Sequence, residues 1–95
     1  MSTTSADDFY ASLKEKLERE SFWPSVYLFK FIVKTSDDAL QAVQAVFEDQ
    51  KQHIELKPSK AGTYTSVSIK TIMVSPDAVI EKYKMVGKID GVISL

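Results

Sequence analysis

The order of local signals in this chain predicts an α+β domain, a four-stranded antiparallel sheet with helices packed on one of its faces. Three observations carry that expectation. The run Val26 to Val33 (VYLFKFIV) is the longest β-favouring stretch, and six of its eight residues are aromatic or β-branched. Two segments further on, opening at Thr35-Ser36-Asp37-Asp38 and at Ser75-Pro76-Asp77, have a capping residue, an acidic first turn and apolar residues at helical spacing. The segments between and after them alternate or run apolar over a few residues and are bounded by turn formers.

Residues 1–4 are expected to be disordered. A helix over residues 5–21 follows, because Ser5-Ala6-Asp7-Asp8 has capping-box spacing and places acid where the helix dipole favours it. Ala6, Phe9, Tyr10, Leu13 and Leu17 make its apolar stripe, with Lys14, Glu15, Glu18 and Arg19 opposite. It ends before Pro24, since the proline pushes Trp23 towards extended geometry. Phe22 and Trp23 then pin this helix to the core or, alternatively, form an interaction hot spot.

In the first strand Tyr27, Phe29, Phe31 and Val33 point one way, and Val26, Leu28, Lys30 and Ile32 the other. The first set is uniformly apolar or aromatic and is placed against helices; the second, with its lysine, lines a more open face. The second helix is capped by Thr35 or Ser36 and buries Leu40, Val43, Val46 and Phe47, with Gln41, Gln44, Glu48 and Asp49 outward. His53-Ile54-Glu55-Leu56-Lys57 alternates as an edge strand does, and Pro58 to Gly62 is a connection of hairpin length. The third strand, Thr63 to Val74, buries Val67 and Ile69 and shows Tyr64, Ser66, Ser68 and Lys70 on its other face. Ser75-Pro76-Asp77 opens the last helix with proline at the first helical position. Its stripe is Val79, Ile80, Tyr83 and Val86, with Glu81, Lys82 and Lys84 outside. Asp90-Gly91 turns into a short strand, Val92 to Leu95.

The succession is α, then β-α-β-β-α-β. Right-handed crossovers and one buried sheet face close it as a split βαβ, ferredoxin-like α/β sandwich. The βαββαβ core would span residues 25–95 of a single domain, with strand order 4-1-3-2 and the N-terminal α-helix as an addition. The first and third strands, the two longest, are then central.

Composition narrows the function classes. A chain of 95 residues can fold alone without staples. Its net charge of -1 supplies no overall field for nucleic acid or an anionic membrane. With no cysteine, disulfide scaffolds, thiolate metal sites and cysteine nucleophiles are excluded. The opening MSTTSADD has neither basic start nor apolar run, so no signal peptide is expected, and no stretch approaches the ~20 apolar residues of a membrane span. A cytoplasmic setting is expected.

Four blocks resemble a known family when taken together: FWPSVYLFKFIV (Phe22 to Val33), PSKAGTYTSVSI (Pro58 to Ile69), SPDAVIEKY (Ser75 to Tyr83) and GVISL (Gly91 to Leu95). They are similar to the YbeD-like family of small bacterial proteins of unknown function, from Phe9 onward, and depart most from its pattern between Ala39 and His53. The resemblance implies a ferredoxin-like fold similar to the ACT-type regulatory domains of amino-acid metabolism. It implies no catalytic or ligand residue.

Candidate binding residues come from the expected open face. Lys30 and Lys70 lie on adjacent central strands near Tyr64, Ser66 and Ser68, a surface for a carboxylate, another anionic ligand or the acidic patch of a partner. The plainer reading is a solvated sheet face whose lysines discourage aggregation. The hairpin Lys57-Pro58-Ser59-Lys60-Ala61-Gly62 offers Lys57 and Lys60 to a phosphate, yet lacks the glycine density and following helix of a phosphate loop. Val26-Tyr27-Leu28 resembles the opening of an RNA-recognition strand, but Thr63 to Ser68 lacks the matching basic, glycine and aromatic pattern, and Tyr27 is turned inward. His53 and Glu55 share a strand face and fall short of a metal site, which needs a further ligand.

Enzymes of this fold class give negatives. The arginine that an acylphosphatase keeps after its first strand is missing, for Arg19 in the first helix is the sole arginine. Paired cysteines of copper carriers are absent, and the Lys34 to Asp38 loop lacks the glycine usual in amino-acid-binding ACT domains. The expectation is a non-enzymatic ACT-like regulatory or protein-interaction module without cofactor, acting on a protein partner or by self-association. The alternatives are a stand-alone sensor of a small anionic metabolite and, last, an RNA-binding module. Nucleic acid and membrane are not expected partners.

Overall fold

A computed structural model describes residues 5–94, with side chains from Asp8 to Ile93. The expectations for residues 1–4, for the Ser5 cap and for Ala6 lie outside what is described. The elements are α1 (Ser5–Glu20), β1 (Ser25–Lys34), α2 (Asp37–Val46), β2 (Gln52–Pro58), β3 (Tyr64–Met73), α3 (Pro76–Gly87) and β4 (Val92–Ser94). The sheet runs β2-β3-β1-β4, all neighbours antiparallel, so counted from the β4 edge the order is 4-1-3-2. β1 and β3 occupy the centre, paired along ten residues from Ser25↔Met73 to Lys34↔Tyr64.

Local chemistry accounts for the element ends. Ser36 caps α2, its Oγ accepting from Ala39 N at 3.1 Å, whereas Thr35 Oγ1 is 2.8 Å from Thr65 Oγ1 and ties the loop to β3. Ser75 caps α3 in the same way, accepting from Ala78 N at 3.1 Å, with Pro76 at the helix start. Gly91 turns the chain with φ 83°, a conformation a side chain resists, and its carbonyl accepts from Lys34 N at 2.8 Å to lock β4 beside β1.

One face of the sheet carries the core. Phe29, Phe31, Val33, Val67, Ile69 and Met73 point into it and meet Val43 and Phe47 of α2 and Val79, Tyr83 and Val86 of α3. The rings interlock: Phe29 lies 4.7 Å from Tyr27, 4.8 Å from Phe47 and 5.2 Å from Tyr83, centroid to centroid. α1 extends the same layer. Tyr10, Leu13 and Leu17 pack on the core, Lys14 reaches Asp77 of α3 at 2.8 Å, and Trp23 Nε1 donates to Leu17 O at 3.3 Å. The three helices therefore cover one face and leave the other open.

Three expectations are corrected. Lys82, expected outside, is 8% exposed: its Nζ donates to Val46 O at 2.6 Å and Asp49 Oδ1 at 2.9 Å, above the Phe47 ring. A lysine beside the last turn of α2 satisfies a carbonyl the helix cannot. Phe9, assigned to the buried stripe, is 56% exposed, because α1 meets α3 along the line of Tyr10, Leu13 and Leu17. Phe22 is 95% exposed, so Trp23 alone pins the helix.

Two tests of this packing follow. Lys82→Ala is expected to lower the urea-unfolding free energy by about 2 kcal/mol, the scale of a hydrogen bond to a charged group, and Lys82→Met by less because its stem still packs. Wild-type stability in Lys82→Ala would deny the ammonium this tie. Burial, and then the hydrogen bond with Tyr27, raise the Tyr83 hydroxyl above its ordinary value of 10.0. Its folded-state value exceeds its unfolded one, so the stabilisation is complete below pH ~10 and lost as pH rises beyond it. Tyr83→Phe should flatten that alkaline loss in melts recorded between neutral pH and pH ~11.

Candidate functional site

The open face is built by the even-numbered residues of β1 and β3 and the odd-numbered residues of β2, since the pleat sends alternate side chains to opposite faces. Register arranges them in rows across the strands. Ile72 faces Val26; His53, Lys70 and Leu28 form the next row; then come Glu55, Ser68 and Lys30; then Lys57, Ser66, Ile32 and Ile93; and finally Tyr64 and Lys34. Lys30 and Lys70 are diagonal neighbours on adjacent strands rather than a facing pair.

Seven residues were expected at a binding surface, and the structure divides them. Lys30, Ser66, Ser68 and Lys57 line one shallow depression of about 450 Å³, together with Glu55. Lys70 lines a second one of about 300 Å³ with Val26, Lys51, His53 and Ile72. Tyr64, opposite Lys34, is one row beyond Ser66 on the same face and lines neither depression. Lys60 sits in the hairpin turn and lines neither. In that turn Ser59 N donates to Tyr64 O at 2.7 Å, Gly62 N to Ser59 O at 2.9 Å and Tyr64 N to Ser59 Oγ at 3.2 Å. Those N–H groups are spent within the turn, so the hairpin reads as a plain connection.

Sequence reasoning placed Val26, Leu28 and Ile32 on this face; Ile72 and Ile93 are the apolar side chains it missed. Val26 and Ile72 are 57% and 62% exposed, and Leu28 and Ile93 are also exposed. Carrying the alternation from Lys70 on to Ile72 would have revealed that Val26 has an apolar neighbour across the strand. The charges are just as uneven. Lys30, Lys34, Lys57 and Lys70 stand against Glu55 alone among the described strand residues, and none of these five forms an ion pair with another described residue.

The face is poor in catalytic groupings. His53 and Glu55 point from the edge strand beside Lys70 and Ser68, and no three metal-binding side chains converge among the described residues. No helix among the described residues is long and apolar enough to cross a membrane. The aromatic residues of β1, Tyr27, Phe29 and Phe31, all face the helices, so no stacking platform is presented by that strand.

No curated protein and no solved structure matches the chain. Residues 18–95 match the family described as "Protein of unknown function (DUF493)", and the chain belongs to that family.

Proposed function

We propose that this protein is a non-enzymatic, cytoplasmic interaction or regulatory module of ferredoxin-like, ACT-like and YbeD-like type, and that its open sheet face does the binding. The observation that carries this reading is the placement of all three helices on one side of the sheet, which leaves lysines and exposed aliphatic side chains interleaved on the other. Exposed apolar groups rimmed by charge are what interaction surfaces consist of.

Affinity capture at low salt from the organism of origin tests the reading with three baits. Wild type and the helix-side variant Lys84→Glu/Lys88→Glu should retain the same partner, and Lys30→Glu/Lys70→Glu should lose it. Retention by all three baits, or turnover in an unbiased substrate screen abolished by one surface substitution, would overturn it.

The 450 Å³ depression supports a second reading, a sensor of a small anionic metabolite. Lys30 and Lys57 supply charge there, and Ser66 and Ser68 supply hydroxyl donors. On this reading a thermal-shift screen of carboxylates and phosphates at millimolar concentration should give a hit that Lys57→Ala removes. A flat screen would count against it.

A further inference from the structure

The charge on this molecule is sorted by layer. The whole chain has a net charge of -1, yet its described strands carry four lysines against one glutamate. The helices carry the opposite excess, nine acidic residues against Lys14, Lys16, Arg19, Lys82 and Lys84, with α2 purely acidic through Asp37 and Asp38 and α3 balanced. The open face is thus basic and apolar, and a second copy of the same face would bring lysine against lysine.

Geometry restricts the occupant further. Val26, Leu28 and Ile32 lie along β1 with Ile72 and Ile93 on the strands either side. From Val26 to Ile32 the strand advances about 20 Å, the length of a helix of about 13 residues. A sheet covered by helices on one face only has room for a helical layer on the other. We infer that the open face receives an acidic amphipathic helix of a protein partner, its apolar stripe on Val26, Leu28 and Ile72 and its carboxylates on Lys30 and Lys70. This rests on the proposal that the sheet face is the binding surface and adds the chemistry of what binds.

The test uses the full chain as bait for a displayed library of random peptides about 16 residues long, enough for four helical turns. Selected sequences should be rich in Asp and Glu, with apolar residues at i, i+3, i+4 and i+7. Their affinity should fall at least about tenfold in Lys30→Glu/Lys70→Glu and decline with added salt. Leu28→Thr/Ile72→Thr, which keeps strand-favouring residues, should weaken them too while leaving the melting temperature near that of wild type. Binders that need this face yet are neutral, basic or strictly alternating would overturn the helix inference and leave the sheet-face reading standing. If nothing is selected, or binding survives both face variants, the sheet-face reading falls with it. Mixed-sequence RNA bound at low salt more tightly than any selected peptide, and lost in Lys30→Glu/Lys70→Glu, would assign the face to RNA instead.

Discussion

Phe29 touches the three rings that join the layers of this domain. It stands on the central strand, fully buried, with Tyr27 beside it, Phe47 above it from the end of α2 and Tyr83 from the middle of α3. Because side chains alternate along a strand, fixing Phe29 inward also fixes Tyr27, Phe31 and Val33 inward and turns Val26, Leu28, Lys30 and Ile32 out. A slip of one residue would bury Lys30 and expose the rings. The choice of which face is core and which face is free is therefore made in a single strand, and β3 inherits it through ten paired residues.

The helix layer closes around that choice by polar as well as apolar means. Lys82 fills the junction of α2 and α3, where its ammonium lies over the Phe47 ring and meets a terminal carbonyl and the Asp49 carboxylate. The hydrogen bond from Lys82 holds Asp49 below the ordinary carboxylate range, so this contact stabilises the fold above that range and fades as pH falls through it. Thr65 and Thr71, buried on β3, are each satisfied at the sheet margins, by Thr35 and by Gln50 with the Lys51 carbonyl. No buried side-chain polar atom among the described residues lacks a partner.

Most of the architecture was legible because it rests on periodicity and punctuation. Alternation gave the two faces of β1 and β3, and Ser36, Ser75 with Pro76, and Gly91 marked where elements begin and turn. What sequence reading missed depends on the angle at which elements meet. Lys82 lies on the flank of α3 and looks exposed by period alone; only the nearness of the α2 terminus buries it. Phe9 belongs to the apolar stripe of α1 by spacing, but the contact line along α3 is narrower than the stripe. For the binding surface, Lys30, Ser66, Ser68 and Lys57 converge because they follow one alternation across paired strands. Tyr64 follows the same alternation one row beyond Ser66 and falls just outside the depression, and Lys60 sits in the turn, off the pleat that brings the others together.

The sorting of charge by layer makes the net value a poor guide to how this protein meets other molecules. A nearly neutral chain exerts little pull at long range, yet a basic sheet set against helices with an excess of acid leaves the charge unevenly divided between the two layers. An approaching acidic surface experiences a torque that swings the sheet towards it before contact, while a basic one is offered the helices. Orientation at encounter, rather than attraction from afar, is what such a distribution provides. Its effect is confined to roughly a Debye length, about 8 Å at physiological ionic strength.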